Sequence, residues 1–147
     1  MRFAIAAVLA LASAAQAAPD LSTATPIAGS WSYTAVSDGS EATFANESGV
    51  VQLSLHCTRA TRRVSISKPA SGAVPSVSLW TSGSTRDVPA AYNPATARLT
   101  LDLGAYDSIL DSMANSRGRI GLTVGAQPSL VVPAWPELAR VIEDCRV

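Results

Sequence analysis

The side chains able to do chemistry are few and scattered. His56 is the only histidine in 147 residues, and it adjoins Cys57, one of only two cysteines. Successive residues of a strand point to opposite faces, so these two form no nucleophile–base dyad. His56 is expected to face solvent or an interface. Asp107 and Asp111 stand four apart, where two carboxylates can share a cation or a proton, with Asp102 near in sequence. Calcium asks for more oxygen ligands than this, and an acid in a first helical turn is favoured on its own account. Arg117 and Arg119 flank Gly118 and are candidates for holding an anion, although basic residues after a helix C-terminus have a simpler use as a cap. Arg59, Arg62 and Arg63 form a second basic turn of the same kind. No G-x-S-x-G, H-E-x-x-H, phosphate loop or dinucleotide fingerprint occurs. The reading is a protein without catalytic, cofactor or metal residues, and not an enzyme.

The elements that carry these residues are mostly strands. Trp31, Tyr33 and Ala35 alternate with polar neighbours, as do Ala42 and Phe44. Val51, Leu53, Leu55 and Cys57 give the clearest alternation and place Cys57 on a core face. Further strands are marked by Val64 and Ile66, by Val77, Leu79 and Thr81, by Leu99, Leu101 and Leu103, by Ile120, Leu122 and Val124, and by Leu130 to Val132. Residues 82–94 hold Gly83, Pro89 and Asn93-Pro94 and have room for one short edge strand. The period changes to 3.6 twice: at Tyr106, Ile109, Leu110 and Met113, and at Leu138, Val141, Ile142 and Cys145. Pro136 suits the first turn of this last helix. The expectation is a mainly β protein, an antiparallel β-sandwich or flattened barrel of seven to nine short strands with two covering helices, the second C-terminal.

Cys57 and Cys145 therefore both fall on core faces and are expected to form one disulfide. Trp31 shares its face with Tyr33 and belongs to the core. Trp80 points away from Val77 and Leu79 onto a face of serines. It either covers a second apolar layer or stands exposed at a binding surface. In the second case Trp80 and His56 are the possible interface residues.

Residues 1–17 read as a signal peptide: Arg2, an apolar run from Phe3 to Ala14, and Ala15-Gln16-Ala17 as cleavage signal. Residues 18–28 form an irregular leader, and 29–147 a single β-rich domain. Cleavage leaves 130 of the 147 residues, carrying ten basic and eleven acidic side chains. That balance argues against nucleic acid as partner. The apolar run is too short to span a bilayer, and no second one follows. The mature chain is expected to be periplasmic or secreted, without a transmembrane span.

Three stretches carry a resemblance to small exported proteins of Gram-negative bacteria: Leu53-Ser54-Leu55-His56-Cys57, the segment from Asp107 to Arg119, and Leu130 through Trp135-Pro136-Glu137 to Cys145-Arg146. More distantly, the order of parts is similar to the invasion-associated locus B proteins and the secretion-associated VasI proteins, which also pair β-strands with a terminal helix and cysteines. The resemblance implies an envelope or protein-interaction role with an unknown envelope or secreted protein as partner, and maps no catalytic residue. Gly29-Ser30-Trp31 is similar to the opening of lipocalin-like barrels, which implies a protease inhibitor or small-ligand carrier. A hydrolase without a recognisable motif is the third possibility.

Overall fold

The computed structural model describes residues 18–147, so the expected signal peptide lies outside the described residues. Its order is β1 (Gly29–Val36), β2 (Gly39–Asn46), β3 (Val51–Thr58), β4 (Arg63–Pro69), β5 (Ser76–Trp80), β6 (Thr85–Pro89), β7 (Ala91–Asn93), β8 (Arg98–Gly104), α1 (Ser108–Ala114), β9 (Arg119–Thr123), β10 (Leu130–Pro133) and α2 (Pro136–Asp144). The strands make two antiparallel sheets, β1-β2-β3-β4-β8-β7 and β10-β9-β5-β6. Both sheets are open at both edges. The flattened barrel, and with it the lipocalin-like barrel, is thereby corrected to a sandwich.

Alternation builds the core. Phe44, Leu53, Leu55, Ile66 and Leu101 are fully buried on the inner face of the larger sheet, and Leu79, Ile120 and Leu122 answer from the smaller. Four strands cannot cover six. The remainder of the inner face, over β1, β2 and β3, is covered by α2, which also packs on α1. The apolar stripe Leu138, Val141 and Ile142 is the part of α2 that is buried. The second layer is thus half sheet and half helix.

Two expectations need correction. Residues 82–94 hold two strands, not one, raising the count to ten: β6 pairs with β5 and β7 with β8, so the chain changes sheet at Ala90. Tyr106 lies outside its helix. The Asp107 side chain accepts from the Ile109 amide at 3.0 Å and caps α1, which leaves Tyr106 before the cap, 61% exposed. Its hydroxyl donates to the Arg146 carbonyl at 2.8 Å.

Candidate functional site

Cys57 and Cys145 are joined, with their Cα atoms 5.5 Å apart. The bridge fixes the end of α2 to the middle of the larger sheet. Trp31 fixes the start, its indole N–H donating to the Pro133 carbonyl at 2.7 Å. These residues are scaffold.

His56 lies on the outer face of the larger sheet, half-buried. Register places Glu41 directly opposite it on β2 and Ser65 opposite on β4. Its Nδ1 is 3.2 Å from a Glu41 oxygen and its Nε2 is 3.0 Å from an Asp38 oxygen. Burial lowers the imidazole pKa, but the hydrogen bonds and charges of Asp38 and Glu41 outweigh that, and the net displacement is upward from 6.5. In the imidazolium both nitrogens donate, so the ring has no lone pair to offer Ser65. The ring is a bridge between two strands and a turn, and not a general base.

The acidic residues separate, each to its own arginine. Asp107 meets Arg86 at 2.7 Å, Asp111 meets Arg146 at 2.8 Å, and Asp102 meets Arg63 at 2.8 Å. Arg119 is engaged with the leader: its Nη1 donates to the Ala24 carbonyl at 2.6 Å. Arg117 remains exposed. Its backbone N–H donates to Ser82 Oγ at 2.8 Å, and it borders a shallow cleft with Asp20, Ser22, Trp80 and Thr85.

Trp80 does not stand out into solvent. It is 9% exposed and packs with Leu21 and Val131. Register aligns Trp80, Gly121 and Val131 across the outer face of the smaller sheet. Gly121 has no side chain there, and Leu21 fills that notch so closely that a Cβ on Gly121 would collide with Leu21 Cδ1. The Ile27 amide donates to the Val131 carbonyl at 2.9 Å. The leader is therefore a strap over a second small core, and the interface assigned to Trp80 is corrected to its other alternative, a buried layer.

The surface that sequence reading missed is the free edge of β1. In the two-residue hairpin to β2, Val36 pairs with Gly39, so Thr34, Ser32 and Ser30 turn their backbone groups to β2. The backbone groups of Trp31, Tyr33 and Ala35 then face outward. The strand is eight residues long, Gly-Ser-Trp-Ser-Tyr-Thr-Ala-Val, with neither charge nor proline. The other edges are each blunted. β7 has three residues, β6 carries Arg86, Asp87 and Pro89, and β10 is met by Ile27 and ends at Pro133. The absence of charge in 29–36 is the signal that would have found it.

No known protein family, curated protein or solved structure matches the chain.

Proposed function

We propose that the protein is an exported, non-enzymatic envelope domain that binds another protein by receiving one of its strands at β1. The carrying observation is the contrast between edges: among the described strands, β1 alone keeps a long, uncharged row of outward backbone groups. Such an edge is a template for strand addition, where main-chain bonds supply affinity and alternate side chains supply selectivity. Export to the periplasm or beyond is supported by the Ala15-Gln16-Ala17 signal and by a disulfide that holds the only two cysteines. No helix among the described residues is long and apolar enough to cross a membrane.

The test is photocrosslinking in the exported protein, with the reactive side chain placed at Thr34 on the edge strand or at Thr100 on the interior strand β8. Adducts from position 34 and none from position 100 are expected. Ala35→Pro removes an outward N–H while leaving the ladder to β2 intact, and should abolish the adduct without unfolding the protein. Equal adducts at both positions, or an adduct indifferent to Ala35→Pro, would overturn the proposal. An adduct between two copies of this chain would replace a foreign partner by self-assembly.

A further inference from the structure

α2 lies over β1, β2 and β3 and runs along β1: Trp31 is tied beside its start, at Pro133, and Tyr33 to its end. The Tyr33 ring stands between two opposite charges of that helix. Its hydroxyl donates to the Asp144 carboxylate, and the Arg140 guanidinium lies over its face. Arg140 and Asp144 are four apart and so share one side of α2, the side that overlooks the free edge. Among the described residues neither forms an ion pair within the chain. Asp144 accepts from Tyr33 through one oxygen and keeps the other.

The outward backbone groups of β1 belong to Trp31, Tyr33 and Ala35. A copy of the same strand, laid antiparallel, answers them with the same three residues. With Tyr33 opposite Tyr33 of the copy, Trp31 falls opposite Ala35 and Ser32 opposite Thr34. A large ring then meets a small side chain. No charge meets a like charge along the strands, because β1 has none.

We infer that the strand β1 receives is β1 of a second copy, antiparallel about a two-fold axis beside Tyr33, with Arg140 of each α2 paired to Asp144 of the other. The inference rests on the strand-accepting edge proposed above and names its occupant. The axis stands normal to the larger sheet, so both helices lie on one face and run antiparallel. Tyr33 touches Arg140 and Asp144 alike, so an axis beside it sets Arg140 of one copy opposite Asp144 of the other, and the ion pair forms twice. Helices centred over the two β2 strands are three strand spacings apart, about 14 Å, a span that an arginine and an aspartate can bridge. The two six-stranded sheets become one, and both β1 edges are closed.

Sedimentation equilibrium of the exported chain is the test, and a dimer is expected at about 100 µM. Arg140→Asp and Asp144→Arg each set like charges across the axis, and each should weaken dimerisation by roughly tenfold or more. Mixed in equal amounts, the two variants regain opposite charges at both contacts and should form a heterodimer of nearly parental strength. Contacts confined to one chain would give no such rescue. Ala35→Pro removes an outward N–H and should leave monomers. The inference is overturned by a parent that stays monomeric at about 100 µM, by a dimer indifferent to Ala35→Pro, or by a mixture without rescue. Should a charge variant fail to fold, Ala35→Pro decides alone. A monomeric parent whose position 34 still gives adducts with a foreign protein would remove self-pairing and leave strand reception standing. A monomeric parent with no adduct at all would remove both.

Discussion

The Tyr33 hydroxyl donates to the Asp144 carboxylate at 2.6 Å, one residue before the disulfide cysteine that follows α2. Arg140, one turn earlier on α2, lies over the same ring with its guanidinium carbon 3.8 Å from the centroid. The helix is thus held to β1 by a hydrogen bond and a cation–π contact, and to β3 by a covalent bond.

From this follows the first expectation. Cys57→Ser and Cys145→Ser open the same loop, of sequence separation 88. They should destabilise equally, by up to about 4–5 kcal/mol in the chain-entropy picture. Tyr33→Phe removes only the hydroxyl and should cost about 1–2 kcal/mol. Urea titration of the three variants checks both, and a mature chain under denaturing, non-reducing conditions should show no free thiol.

The two tryptophans should behave alike. Trp31 is 6% exposed and Trp80 9%, and replacing either by alanine should cost about 3–5 kcal/mol. The small core around Trp80 has its own signature. Gly121→Ala leaves Trp80 untouched but evicts Leu21 from its notch. That change should free the strap, seen as faster amide exchange at Ala24 and Ile27 and a red-shifted Trp80 emission. A Gly121→Ala protein with an unaltered strap would contradict this packing.

Period two was legible wherever one face of a strand met the core. Val51, Leu53, Leu55 and Cys57 gave a strand, a face and half of a disulfide, and Cys145 supplied the other half. What escaped was whatever depends on a second neighbour. Trp80 lies on a face that alternation marks as outward, but a strap of residues without periodicity makes that face a core. Tyr106 fits the helical spacing, yet Asp107 caps α1 after it, and a single side-chain hydrogen bond decides the boundary. Residues 82–94 look irregular because the two strands there are short and belong to different sheets. The edge of β1 shows in the sequence only as the lack of charge and proline in 29–36, since an edge is defined by the strand that is missing beside it.

Ser40 should be replaceable with gain. It is fully buried on the inner face beside Cys57, and its hydroxyl has no partner among the described residues. An unpaired buried hydroxyl carries a desolvation cost of about 1–3 kcal/mol, and Ser40→Ala removes it while leaving a void of one oxygen. The variant should melt at or above the parent temperature. A loss of more than about 1 kcal/mol would mean that the hydroxyl is satisfied after all.

His56 should make stability depend on pH, in a direction that can be worked out. Its folded pKa is raised above 6.5 because the hydrogen bonds and charges of Asp38 and Glu41 outweigh the burial that lowers it. A raised folded pKa means that the native state holds the proton more tightly than the unfolded chain. The resulting stability is therefore complete below the unfolded value of 6.5 and is lost as pH rises through the folded value. The bridge needs both carboxylates ionised, since it is their charge that favours the imidazolium. His56→Gln keeps the hydrogen-bonding shape without the charge. It should be less stable than the parent at about pH 5.5 and nearly equal to it at about pH 8.5. The groups that face the ring are Asp38 from the β1–β2 turn, Glu41 from β2 and Ser65 from β4, and only the two acids carry charge. Asp38→Asn and Glu41→Gln should therefore each remove part of the difference, and the double variant nearly all of it. Parallel stability curves for parent and His56→Gln between those two pH values would show that the bridge contributes nothing in solution.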